Sequence, residues 1–226
     1  MLTIGLLLAL ASIAPPQQST GPEFERGAPD KLLIHETTDE AGKARKYLDG
    51  VARCVASNHR KQSAAGLAMP YGSAEQGAAF NQLIQVEDTC FGPIFSSMSI
   101  GFDSQALAAG AAEFFLANPK ALEEARRRDP KSFVWPAMNA MDEFGDCVVS
   151  QGEAQVRAFI DTPVASTAEQ SAAQALAPAL GQCVSEGQTI AVEPAAIRQI
   201  LAVALYRRVA APPPAVPAAA ARSATP

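Results

Sequence analysis

Two histidines in 226 residues leave this chain poorly supplied with the side chain that most often moves protons or binds metal near neutral pH. His35 and Glu36 open the helical zinc pattern H-E-x-x-H, but Asp39 stands where the second histidine belongs. With so few partners, His35 and His59 are expected to be ordinary surface residues. The four cysteines form neither a C-x-x-C nor a C-x(2–4)-C pair, which argues against thioredoxin-like redox work and against a four-cysteine zinc site. There is no G-x-S-x-G elbow, Walker loop or dinucleotide glycine pattern. No catalytic residue, metal or cofactor is therefore expected.

Basic clusters are also scarce. The net charge is −5, and nucleic-acid binding normally needs a Lys/Arg-rich face. The run Arg126, Arg127, Arg128 lies among Glu123, Glu124 and Asp129, so a solvated helix face is expected there. Long apolar runs are missing as well: Leu2 to Ala14 is too short for a bilayer span of about 20 residues. That stretch has the length of a signal-peptide core, and Ala9-Leu10-Ala11 or Ser12-Ile13-Ala14 offers a small-x-small cleavage site. No Lys or Arg precedes it, which is the one departure from that pattern. Export, to a periplasm or the exterior, is the expectation.

What is present is a repetition. Asp49 to Cys90 recurs ninety-three residues later as Asp142 to Cys183, with eleven identities in forty-two ungapped positions, among them Cys54/Cys147, Ser57/Ser150, Pro70/Pro163, Ser73/Ser166, Leu83/Leu176 and Cys90/Cys183. Removing three residues after the cysteines continues the match, pairing Leu107 with Ile197 and Phe115 with Leu205. Such a duplication selects one of the three possible pairings of four cysteines. Cys54 is expected to bond Cys90 and Cys147 to bond Cys183, stable in an oxidising compartment.

Each copy reads as helices. Leu48, Val51, Val55 and Cys54 share a stripe over 39–58, and Phe144, Val148 and Cys147 repeat it in a helix expected to begin at Pro136. A short helix ends at Pro70 or Pro163. Ser73 with Gln76, and Ser166 with Glu169, then predict reciprocal capping boxes, and Pro178 should leave the last turn of the third helix of copy two kinked or rebuilt. Final helices open at Ser104 and Pro194, with one-sided apolar faces built on Leu107, Phe114 and Phe115, and on Ile197, Ile200 and Leu201. The extended pieces Met98 to Phe102 and Thr189 to Glu193 could pair as a minimal β ribbon.

With 48% hydrophobic and 18% charged residues the chain can bury a core of ordinary size. The expected architecture is all-α: two tandem disulfide-stapled helical repeats packed with pseudo-two-fold symmetry. The expected segments are a signal peptide over 1–14, a disordered leader over 15–30, repeat one over 31–117, a charged linker or helix over 118–135, repeat two over 136–208 and a disordered Ala/Pro-rich tail over 209–226. The expected function is a non-enzymatic envelope or periplasmic scaffold that binds a protein partner, with no transmembrane span in the mature chain. A carrier of an apolar molecule or lipid is the alternative, its pocket lined by Phe102, Phe114 and Phe115; an enzyme ranks third. Trp135 is the one aromatic placed for ligand stacking, although packing explains it better. Glu87 and Asp88, replaced by Leu180 and Gly181 in the second copy, are the asymmetric polar candidates.

Overall fold

The computed structural model describes residues 23–25, 39–86, 89–91, 103–133, 135, 139–184, 189–191 and 193–211. Within them the protein is helical and carries two disulfides. Helices α1 (Asp39–Asn58), α2 (Arg60–Leu67) and α3 (Ala74–Val86) are followed by α4 (Ser104–Ala117), α5 (Pro119–Arg128) and a 3-10 turn at Pro130–Phe133. Next come α6 (Ala140–Ile160), α7 (Thr167–Ala175), α8 (Ala177–Gln182) and α9 (Pro194–Ala210). Cys54 is bonded to Cys90 and Cys147 to Cys183, with Cα atoms 5.6 and 5.8 Å apart. No helix among the described residues is long and apolar enough to cross a membrane.

The long helices pack in the order α1, α4, α9, α6, so α4 and α9 are the inner pair. That position explains a departure from the one-sided face expected for α9. Ile197, Ile200, Leu201, Val203, Leu205 and Tyr206 are all buried, because a helix between two neighbours is apolar all round. Small residues set the closest approaches. A Cβ on Gly110 of α4 would lie 2.4 Å from the Cβ of Ala52 on α1, and one on Gly145 of α6 would lie 3.1 Å from Cγ2 of Ile200 on α9.

Several helix ends differ from expectation for local reasons. Helix α6 starts at Ala140, not Pro136, which lies outside the described residues. Asn139 caps it, its Oδ1 accepting from the amides of Met141 and Asp142 while its own amide donates to Asp142. Helix α4 opens at Ser104 as expected, with Asp103 capping it through the amide of Gln105. Helix α6 also continues through Gly152, whose backbone is non-helical, whereas His59 separates α1 from α2. Pro178 has the expected effect: α7 ends at Ala175 and α8 begins at Ala177. Helix α9 runs to Ala210, two residues beyond the expected boundary at Arg208. Arg126 explains part of that end, since it is not simply solvated: it donates to the carbonyls of Val209 and Ala210, acceptors that a helix C-terminus leaves open.

Ser73 and Ser166 cap α3 and α7 as expected, accepting from the amides of Gln76 and Glu169 at 3.1 Å each. The return bond is one residue off the standard box. Gln76 accepts from the amide of Gly72 at 2.9 Å, and Glu169 from that of Ala165 at 2.8 Å. Both of those residues are left-handed, with φ of 69° and 53°, the positive values among the described residues. The left-handed conformation costs a non-glycine residue about 1–2 kcal/mol. Gly72→Ala should therefore destabilise the protein by about 1 kcal/mol or more, whereas Ala165→Gly should be neutral to stabilising, because relief of strain is partly offset by greater unfolded-state freedom. Urea denaturation of both variants checks this, and a clear loss in Ala165→Gly would contradict it.

The strand Thr189–Ala191 (β2) pairs antiparallel with Glu23–Glu25 (β1), Phe24 opposite Ile190. The partner proposed from sequence, Met98 to Phe102, lies outside the described residues. Part of the polar leader is thus a strand, since ladder hydrogen bonds need no apolar side chains.

Candidate functional site

The charged residues with most structural consequence sit where α4, α9 and the turn after α6 meet. Glu113 on α4 and Arg198 on α9 are both buried. They form a two-pronged pair, Nε to Oε1 and Nη2 to Oε2, each 2.8 Å. Arg198 also donates to the carbonyls of Phe159, Ile160 and Thr162, at 3.3, 2.7 and 3.1 Å, satisfying the open end of α6, and to Glu169 at 3.2 Å. Arg45 reaches the same Glu169 oxygen at 2.8 Å. Arg53 bridges both oxygens of Asp49, at 2.9 Å each, to Glu113. Arg45, Arg53 and Arg198 therefore answer Asp49, Glu113 and Glu169, and the cluster carries no net charge.

Burial pushes the Glu113 carboxyl above its ordinary range, and the hydrogen bonds and charge of Arg198 pull it part of the way back. Burial lowers the affinity of Arg198 for its proton, but Glu113 and Glu169 more than offset this, and the net shift is upward. Arg198 is a fixed cation.

A second junction joins the other side of the inner helices. Asp142, at the start of α6, accepts from the amide of Tyr71 at 3.1 and 3.2 Å, while Asn139 donates to the Tyr71 carbonyl at 2.7 Å. Arg207 pairs with Asp142 and donates to the carbonyls of Leu67, the last residue of α2, and of Met69 just after it. The Tyr71 side chain is buried and its hydroxyl donates to Gln199 Oε1 at 3.5 Å. Burial, with the nearby Asp103 and Asp142, holds its phenol well above the usual range.

Over the first cluster lies a solvent-open cleft of about 110 Å³, bordered by the apolar Leu48, Ala106, Ala109, Val164 and Ala195 and by the polar Arg45, Asp49, Asp103, Glu113, Arg198 and Gln199. Beside the second junction is a cleft of about 270 Å³ lined by Trp135, Asp142, Asp146, Arg207 and Arg208. These clefts can hold a ligand by shape and hydrogen bonding. Among the described residues no three His, Cys, Asp or Glu side chains are grouped to hold a metal.

Of the residues singled out from sequence, Phe102, Glu87 and Asp88 lie outside the described set. Phe115 is wholly buried, 5.3 Å from Phe114 and 5.6 Å from Tyr206 between ring centres, and lines neither cleft. Trp135 packs on Phe133 and Tyr206 at 6.1 and 6.0 Å, with the Arg207 guanidinium 6.0 Å over its ring, and still borders the second cleft. The ionic cluster was not anticipated, although Glu113 among AAEFFLA and Arg198 among AAIRQILA are lone charges inside apolar helices, and such charges are rarely buried unless paired. No protein-family model matches the chain, and comparison with curated proteins and with solved structures likewise finds no significant match.

Proposed function

We propose that the chain is an exported, non-enzymatic scaffold of two copies of one helical unit, and that it binds a polypeptide partner in the cleft above Glu113 and Arg198. The copies are proposed to pack about a pseudo-two-fold axis that brings α4 against α9. Support for duplication comes from details that recur at the same offset: two bridges of identical separation, 36 residues, and left-handed residues at 72 and 165, each bonded to the side chain four residues on. A reciprocal exchange of sizes adds to it. Ala52 meets Gly110, and their counterparts Gly145 and Ile200 also meet, with small and large sides traded. Two disulfides favour an oxidising compartment, periplasmic or extracellular.

The cleft carries the binding proposal. Its mixed apolar and polar lining suits one side chain of a polypeptide, and about 110 Å³ falls short of the roughly 300–1,000 Å³ typical of small-molecule pockets. A lipid carrier has less support, because neither of these clefts is lined by Phe114 or Phe115. The test is a photo-crosslinking residue at Ala106, with exposed Lys120 as control, in the whole protein in its native compartment. One discrete polypeptide adduct at position 106 and none at 120 is expected. Equal labelling at both, or none at 106, would overturn the proposal.

A further inference from the structure

The cleft over the first cluster carries a surplus of negative charge once its rim is counted. The guanidinium groups of Arg45, Arg53 and Arg198 are matched by the carboxylates of Asp49, Glu113 and Glu169. Asp103 also borders the cleft, and it sets a fourth carboxylate against those three cations. This side chain is exposed. It accepts from the amide of Gln105 at 2.9 Å and from Gln199 Nε2 at 3.5 Å, and no described residue forms an ion pair with it. A carboxylate has about four acceptor positions, so Asp103 keeps room for further donors. Asp49, 24% exposed, is a second carboxylate within reach of the same space.

We infer that the cleft receives a long basic side chain, lysine or arginine, of the partner polypeptide, with its charged head at Asp103 and its stem over Leu48, Ala106 and Val164. The inference rests on the cleft proposed above as the place of binding. The mixed lining supplies what such a side chain uses, because lysine and arginine lay an apolar stem along apolar surface and keep the charged head near water. An acidic side chain would find no free cation. Arg45 donates to Glu169, and Arg198 donates to Glu113, Glu169 and the carbonyls that end α6, so the charge left over is that of Asp103. A neutral aliphatic side chain would fill the apolar part but bring Asp103 no donor in exchange for the water it displaces. The net charge of −5 on the whole chain acts in the same direction, drawing cations toward it.

The probe is N-acetyl-L-lysinamide, titrated into the full disulfide-bonded chain and followed by protein NMR shifts. N-acetyl-L-norleucinamide, which has the same stem without the ammonium group, is the comparison. A ligand of one side chain should saturate at about 1–10 mM. The norleucine compound should bind about two- to fivefold more weakly, the ratio that a partly exposed ion pair gives, and added salt should narrow the gap. Asp103→Asn isolates the charge, because asparagine caps a helix about as well as aspartate. It should weaken lysinamide binding about two- to fivefold and leave the norleucine compound unchanged. Ala195→Leu, at a half-buried position on the cleft wall, narrows the space and should weaken both compounds. No saturable lysinamide binding to the unaltered chain, equal binding of the norleucine compound, or undiminished lysinamide binding to a folded Asp103→Asn would each overturn the inference. A photoadduct at Ala106 that Asp103→Asn leaves unchanged would keep the polypeptide partner and overturn the basic occupant. Charge-dependent lysinamide binding with no adduct at Ala106 would support the basic occupant and remove the polypeptide partner.

Discussion

Replacing Arg198 with methionine is expected to lower the unfolding free energy by about 3 kcal/mol, the low end of the usual cost of removing one partner of a buried pair, because Arg53 still reaches Glu113 and Arg45 still reaches Glu169. Methionine keeps much of the apolar stem, so lost packing is a minor part. What disappears is the fork that holds Glu113, the second cation on Glu169, and the donors for the carbonyls ending α6. The deficit should depend on pH. Burial already raises the Glu113 carboxyl in the folded protein. Below its unfolded value, about 4.3, its contribution to stability is complete, and it is lost as pH rises through the folded value. Without Arg198 the folded value moves higher still, so the loss continues to higher pH. The variant should therefore resemble the unaltered protein most closely near pH 4.5 and fall further behind toward pH 8. Adding Glu113→Gln to Arg198→Met should recover part of the loss and flatten the pH dependence. Urea denaturation at both pH values decides this. A deficit below about 1 kcal/mol, or one that ignores pH, would mean that the pair is better solvated than its burial implies.

The parts of this fold that were legible beforehand are those whose cause lies within a few residues. Ser73 and Gln76 are three apart, as are Ser166 and Glu169, and their caps form as the spacing predicts. Pro178 breaks a helix because its own ring does so. Pro136 suggested a helix start, but Asn139 and Asp142, a cap not weighed from the sequence, satisfy exposed amides and set it at Ala140. The cysteine pairing spans 36 residues and was legible only because the chain states it twice. The ionic cluster was not legible, since Arg198 meets Glu113 across 85 residues and nothing in its own helix names that partner. The cleft was the hardest to foresee. Small residues such as Ala106, Ala109 and Ala195 border it, and a small residue in an Ala-rich chain carries no mark that distinguishes a cavity wall from a helix contact.

Loss of either disulfide is the other large effect to expect, and the two should be nearly equal. Each bridge has a separation of 36 residues, and in the chain-entropy model closing such a loop stabilises the fold by about 3–4 kcal/mol. Cys54→Ala with Cys90→Ala should lower the melting temperature by about 6–16 °C, as should Cys147→Ala with Cys183→Ala, at about 2–4 °C per kcal/mol for a chain of this size. Removing both bridges, or reducing them, should cost an amount comparable with the whole stability of an ordinary domain, about 5–15 kcal/mol, and leave much of the chain unfolded at 37 °C. Any inequality between the single losses has a physical meaning. Helix α3 is continuous over Ala74–Val86, whereas its counterpart is split into α7 and α8 at Leu176, so the second bridge holds two short helices that have little stability alone. Strain or residual structure in the unfolded chain would change both values together, but greater loss on opening Cys147–Cys183 would locate the excess in that split helix. Scanning calorimetry of the two double variants measures it. Melting temperatures within about 2 °C of the unaltered protein would mean that the inner α4 and α9 packing holds the body together without either bridge.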